Sequence, residues 1–263
     1  MSLIEVNNDM RVIMDREAFF VMLLTGTDKV RSGYGNGDGL LIDSEHYIFA
    51  VADATERFPY ASRILLSKIM GGLTNIPDTS EQWRAYINAI YQQQEYHLKT
   101  TLSLIALKQS HNGCKAFVVH GGDSSLKIFN RLNKKLLYKS TANMNFAGRS
   151  TSIDTIDSIN LESNTRIIIH SDGFNDIMKI GAIDFDDIIA APLFDCISLI
   201  LSQVNAKNFN NEYDDVGLLI VDVPEIFNVI SGGILMGGTT HCEERCLQNN
   251  LTICDYSSLI KTF

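Results

Sequence analysis

Short apolar runs with acids at their ends recur along this chain, and that pattern narrows the folds open to it. Ala18 to Leu24, Tyr47 to Ala52, Thr101 to Leu107, Ala116 to His120, Leu126 to Asn130, Arg166 to His170 and Val216 to Val221 are rich in Val, Ile, Phe and Tyr. Gly, Asn, Asp or Ser bound them, so they read as strands. Pro59 to Met70, Ser80 to His97 and Pro192 to Asn205 space their apolar residues as helices do. Pro59 suits a first turn, and Asp78 to Glu81 form a capping region. Gly121-Gly122-Asp123-Ser124 separates two strands and reads as a hairpin turn. Strand-rich blocks with helices grouped between them predict an α+β fold, and the short turns favour antiparallel pairing.

Composition removes several function classes. Of 263 residues, 45% are hydrophobic and 20% charged, which excludes a disordered chain. Lys plus Arg is 22 against 31 for Asp plus Glu, a formal net charge of −9. Such acidity argues against non-specific nucleic-acid binding and against anionic membrane surfaces. No apolar run reaches the roughly 20 residues that span a bilayer; Ile226 to Gly238 is broken by Ser231 and several glycines. Glu5, Asn7, Asn8 and Asp9 stand where a signal peptide would be basic and then apolar. Five unevenly spaced cysteines fit free thiols. The expectation is a cytoplasmic protein with a main domain over residues 1–223 and a separate C-terminal piece over 224–263.

The acids carry the chemistry. Asp53 and Asp172 each follow a strand, Asp214 and Asp215 immediately precede one, and Asp38 lies in the loop Gly35-Asn-Gly-Asp-Gly39. No Lys or Arg beside them in sequence neutralises them. Carboxylates gathered at one sheet edge must take up protons or share a cation. Hard oxygen donors suit Mg²⁺, Mn²⁺ or Ca²⁺ better than zinc. A pair of such ions supports hydrolysis of a phosphate ester. Taken singly, each Asp also serves as a turn former or helix cap.

In order along the chain, these segments resemble the metal-dependent protein phosphatases of the 2C type. Phe49-Ala-Val-Ala-Asp-Ala54 resembles that family's strand ending in Asp-Gly, and Thr100-Thr101-Leu102 its Gly-Thr-Thr strand start. His120-Gly-Gly-Asp-Ser124 resembles its Val-Gly-Asp-Ser turn. Ile168-Ile-His-Ser-Asp-Gly-Phe-Asn-Asp176 and Tyr213-Asp-Asp-Val-Gly-Leu-Leu-Ile-Val221 resemble its two late Asp motifs. The resemblance runs from about Gly33 to Val223 and implies a four-layer αββα sandwich of two antiparallel sheets flanked by helices. It implies a serine/threonine protein phosphatase with two Mg²⁺ or Mn²⁺ ions and a metal-bound hydroxide as the attacking group. Asp53 would bridge the ions, Asp172 and Asp214 would complete one of them, and the Ala54 carbonyl would reach the second. Asp38 would hold metal-bound waters, and Asp123 stands where some members share a weaker third ion with Asp172. Arg31 and Arg57 are the candidates for the substrate phosphate. The partners implied are a phosphorylated protein and a cognate Ser/Thr kinase.

The chain also departs from the family pattern. Gly37 replaces an acid near the second ion, Ala54-Thr55-Glu56-Arg57 replaces a glycine-rich loop, Thr55 replaces a histidine, and Lys99 replaces a glycine. Glu56 is an alternative outer acid. The departures motivate a second reading, a phosphatase-like regulatory or partner-binding module without turnover. A metal-dependent phosphoesterase on small nucleotides is a third. His241, Cys242, Cys246 and Cys254 lack a standard zinc spacing, and Ser103 and Ser171 lack a nucleophile elbow.

Overall fold

The structure is a computed structural model that describes residues 2–6, 10–15, 17–73, 75–110, 113–181, 183–207, 212–223, 225–229, 232–248 and 260–262. Strands β1 (Ser2–Val6), β2 (Met10–Asp15) and β3 (Phe19–Leu24) precede a short helix α1 (Thr27–Ser32). β4 (Asp38–Asp43) and β5 (Ile48–Asp53) lead into α2 (Ala61–Gly71) and α3 (Ser80–Gln92). Next come β6 (Leu102–Ser110), β7 (Gly113–Gly121), β8 (Ser125–Asn130), β9 (Leu136–Lys139), β10 (Thr155–Leu161) and β11 (Thr165–His170). Helices α4 (Gly173–Gly181), α5 (Phe185–Ala190) and α6 (Leu193–Lys207) lead to β12 (Val216–Val223). β13 (Gly233–Gly237), α7 (His241–Gln248) and β14 (Ile260–Thr262) close the order.

Two seven-stranded sheets result, ordered β1-β2-β3-β12-β11-β8-β9 and β10-β7-β6-β5-β4-β13-β14. Their ladders are antiparallel, including the central β12–β11, β12–β3, β4–β5 and β5–β6 pairs. Side chains on a strand alternate between faces. One set, including Val21, Ile42, Phe49, Val118, Ile167 and Leu219, packs between the sheets. The opposite set on the first sheet, with Met22 and Leu218, packs against Phe174, Ile188 and Ile197 of α4, α5 and α6. On the second sheet, Ala50 and Leu104 pack against Leu65, Trp83 and Ile87 of α2 and α3. With both faces covered, β12 is buried along its whole length. The layers are helix, sheet, sheet, helix, as the resemblance implied.

Three local expectations change. Gly121 to Ser124 joins β7 of one sheet to β8 of the other, so it is a crossing between layers and not a hairpin turn. Gly122 makes the crossing at φ 104°, where an added Cβ would sit 2.6 Å from the Thr101 side chain. Helix α3, capped by Thr79 Oγ1 accepting from the Gln82 amide at 3.2 Å, ends at Gln92 and not at His97. The chain after Val223 returns to the sandwich: β13 pairs with β4 in the second sheet. Its α7 supplies Glu244, wholly buried and 2.6 Å from Arg11 Nη2 of β2.

Candidate active site

The same alternation that builds the inter-sheet core builds the site. In β5, Phe49 and Val51 face the other sheet, and the next residue of that row is Asp53. In β4, the row of Leu40 and Ile42 begins at Asp38. Asp38 and Asp53 are direct partners across the β4–β5 ladder. In β11, the row of Ile167 and Ile169 continues to Ser171, whose Oγ donates to Asp38 Oδ2 at 2.6 Å. Opposite ends of neighbouring antiparallel strands thus meet at one rim, where the apolar rows turn polar.

Asp38 is completely buried, and its Oδ1 has no hydrogen-bond partner. Burial first, and then the charges of Asp215 and Asp172, push its carboxyl well above the usual range. Burial and the charges of Asp38, Asp172, Asp214 and Asp215 do the same to Asp53. Asp172 is raised by desolvation, by Asp214 and by Asp123. Asp215 is raised by burial, although Lys29 and the amides of Gly26 and Gly37 oppose the shift. These mutual influences place all of the expected acids in one electrostatic cluster.

Asp53 and Ala54 line a cleft of about 460 Å³ with Asp28, Lys29, Asp176 and Asp214. Thr55, Glu56 and Glu212 share it, so Glu56 does reach the cleft. Asp123 lies in two adjoining cavities, one of them shared with Asp53 and Arg149. The expected phosphate-binding arginines are elsewhere. Arg31 Nη1 pairs with Glu212 at 3.0 Å on the exterior, and Arg57 stacks on the Phe58 ring at 5.4 Å. Neither lines the cleft.

Of the residues that line the cleft, Lys29 carries the positive charge. Its Nζ donates to Asp214 Oδ1 at 2.5 Å and to Asp215 Oδ2 at 3.0 Å. Burial works against its charge, but the two aspartates prevail and its pKa is raised. Asp215, a strand-end acid to which the resemblance gives no ligand role, is the second residue the structure brings in. It is buried, it accepts from the Gly26 amide at 2.8 Å and from the Gly37 amide at 2.7 Å, and it ties α1 and β4 to the start of β12. Only the pairing Asp214-Asp215 signalled it in sequence.

Two glycines explain departures and matches together. A Cβ on Gly37 would lie 2.5 Å from the Ala54 carbonyl oxygen, and the Ala54 amide donates to the Gly37 carbonyl at 3.0 Å. The acid usual at this position therefore has no room here. A Cβ on Gly173 would lie 2.1 Å from the Asp215 carbonyl oxygen, so the glycine after Asp172 is needed for β12 to approach.

The donors are hard carboxylate oxygens, and a buried one is orphaned, which suits a divalent cation. Among the described residues, no three His, Cys, Asp or Glu side chains already stand close enough together to hold a metal ion. Asp214 is held by Lys29, and Asp215 by Lys29 and two amides. Of the C-terminal thiol and imidazole groups, His241 Nδ1 accepts from the Gly35 amide at 2.7 Å, and Cys254 lies outside the described residues.

No protein-family model and no curated protein matches the sequence. Solved structures do match the fold. RsbX in complex with magnesium aligns at TM-score 0.58 and 14% identity, over 81% of this chain and 99% of that one. A bacterial serine phosphatase aligns at TM-score 0.57 and 12% identity, over 79% of this chain and 98% of that one. The PPM Ser-Thr phosphatase MsPP from Mycobacterium smegmatis, in complex with cacodylate, aligns at 0.51 and 16%, over 84% and 99%. At such identities the likeness is one of architecture, and the chain has the fold of the PPM serine/threonine phosphatases.

Proposed function

We propose that this protein is a metal-dependent phosphatase that hydrolyses phosphoserine or phosphothreonine in proteins. The observation that carries the reading is the facing pair at the rim, Asp38 buried with its Oδ1 unpartnered and Asp53 half-buried beside it. Like charges directly opposite in a sheet are unfavourable, so a fold that keeps them has a use for a cation there. Similarity in fold to serine phosphatases, and to a neighbour bound to magnesium, supports the same reading.

Asp53, Asp172 and Asp214, with the Ala54 carbonyl, would hold two Mg²⁺ or Mn²⁺ ions, and Asp123 a weaker third. Such ions, when bound, neutralise phosphoryl charge and acidify water. The chain's own groups do the rest. Ser171 Oγ fixes the Asp38 carboxylate, and the Asp53 amide, donating to Thr101 Oγ1 at 2.9 Å, fixes the strand end. Lys29 presents a positive charge to the cleft in place of Arg31 and Arg57. The phosphorylated protein would be supplied by a Ser/Thr kinase. No helix among the described residues is long and apolar enough to cross a membrane, and a cytoplasmic site of action belongs to the proposal.

The test is hydrolysis of an aryl phosphate with Mn²⁺ and with EDTA. Activity that needs Mn²⁺ and is lost in Asp172→Asn supports the reading; full activity in Asp172→Asn or in EDTA refutes it. The Lys29 clamp on Asp214 favours one alternative, a regulatory module without turnover. Calorimetric titration separates the two, because such a module would take up one Mn²⁺ or none.

A further inference from the structure

One cavity removed from the acidic cleft, and joined to it through the cavity that Asp53 and Asp123 share, lies a pocket that carries two lysines. It encloses about 420 Å³, and its lining includes Asp123, Ser125, Lys127, Lys139, Thr141 and Asn175. Lys127 and Lys139 are direct partners across the β8–β9 ladder. Like charges so placed repel each other. Neither ammonium forms an ion pair among the described residues, whereas Lys29, Lys108, Lys134 and Lys179 all do.

The surroundings of Lys127 hold its ammonium in place without cancelling its charge. His170 Nδ1 lies 2.7 Å from the Ser171 carbonyl oxygen, which can only accept, so Nδ1 carries the ring proton. His170 Nε2 is then a lone-pair acceptor, 3.0 Å from Lys127 Nζ. The ring of Phe185 supports the same ammonium at 4.4 Å from its centroid. Burial and the charge of Lys139 bring the Lys127 pKa down to about 8, so the group stays mostly charged at neutral pH and gains from an arriving anion. The lysine thus leans on a neutral imidazole and an aromatic face, and its remaining donors are available. Asp123 belongs both to this cavity and to the one shared with Asp53, so the lysines adjoin the candidate active site.

We propose that this cavity receives a second phosphoryl group of the substrate, carried a few residues from the one hydrolysed. Two ammonium groups without an ion-pair partner outnumber the single Asp123 carboxylate of the cavity and attract a phosphate, and the neighbouring hydroxyls and Asn175 amide supply further donors. The preferred substrates are then multiply phosphorylated segments. This specificity rests on the phosphatase reading, whereas the anion site itself does not.

The experiment has two arms. In the first, a peptide bearing a single phosphoserine is titrated into the full chain in EDTA, and backbone amide shifts are followed by NMR. Shifts at Ser125, Lys127 and Thr141 that vanish in the double variant Lys127→Met/Lys139→Met support the site. No shift there, or the same shift in the double variant, overturns it whether or not the protein is a phosphatase. In the second arm, KM with Mn²⁺ is compared for peptides with one phosphoserine, with two, and with one phosphoserine plus Asp. A KM about 10-fold lower for the doubly phosphorylated peptide, falling to less than 2-fold in Lys139→Met, supports the specificity. Equal KM values overturn it, as does a full gain from Asp alone. Aryl phosphate hydrolysis, run beside both arms, reports separately on the phosphatase reading.

Discussion

The ammonium of Lys29 lies 2.5 Å from Asp214 Oδ1, and its side chain is only 12% exposed. It also reaches the buried Asp215 at 3.0 Å. A lysine so placed is a resident cation in a cleft whose other charged lining residues are all acids. It offsets repulsion when no metal is present, and it competes with a metal for Asp214.

Replacing Lys29 with Met should therefore act in two directions. Breaking a buried charge pair from one side costs roughly 3 kcal/mol, so the metal-free protein should be less stable. Asp214, once released, should bind Mn²⁺ more tightly by calorimetry, and Mn²⁺ should raise the melting temperature more than it does in the wild type. A weaker Mn²⁺ affinity in the variant would mean that the lysine positions Asp214 for the metal instead of withholding it.

The acid cluster makes stability depend on pH in a defined sense. Asp38, Asp53, Asp172 and Asp215 have carboxyl pKa values raised above the ordinary 3.8 when folded. The folded chain then holds protons that the unfolded chain has released, so stability falls as pH rises from about 4 through the raised values. Mn²⁺ should reverse that loss, and its effect on melting temperature should be larger at pH 8 than at pH 5. Asp53→Asn should stabilise the metal-free protein while reducing the response to Mn²⁺. Scanning calorimetry at the two pH values measures both; equal Mn²⁺ shifts at pH 5 and 8 would dissociate the metal from these acids.

Restoring the missing acid should fail. Gly37→Glu brings a Cβ to 2.5 Å from the Ala54 carbonyl, and the amide of residue 37 must still reach Asp215. Overpacking of this kind costs about 1–3 kcal/mol. The expected result is a lower melting temperature with no gain in Mn²⁺ affinity. A gain in affinity at unchanged stability would show that the segment entering β4, or the one leaving β5, can yield.

What the sequence discloses and what it hides follow one physical division. Strands β5, β11 and β12 are continuous apolar runs covered on both faces, and Asp53, Asp172 and Asp214 at their ends were legible for that reason. Strand β10 buries only Ile156 and Leu161 and carries Asp157, Ser158 and Asn160 without a regular apolar alternation, so its sequence does not read as a strand. Strand β13 is short and bounded by glycines, and its pairing with β4 is a distant contact that no local pattern reports. Lys29 was hidden in the same way: it and Asp214 meet only because β3 and β12 pair, which sets α1 beside the entry to β12. Local periodicity finds strand ends, while ladders decide which ends meet.

That division bears on the C-terminal piece. Arg11 and Glu244 are both buried, and Glu244 also accepts from Thr239 Oγ1 at 2.6 Å. The contact ties α7 to β2, while β13 covers the edge of β4 that carries Asp38. Cutting the chain after Val223 would expose that edge and leave Arg11 buried without its partner. The truncated protein is expected to aggregate or to lose cooperative unfolding, and Glu244→Gln in the full chain to lose roughly 3 kcal/mol. Urea unfolding followed by circular dichroism tests both. A truncated chain that unfolds cooperatively with wild-type stability would show that residues 224–263 are an addition to the sandwich and not one of its parts.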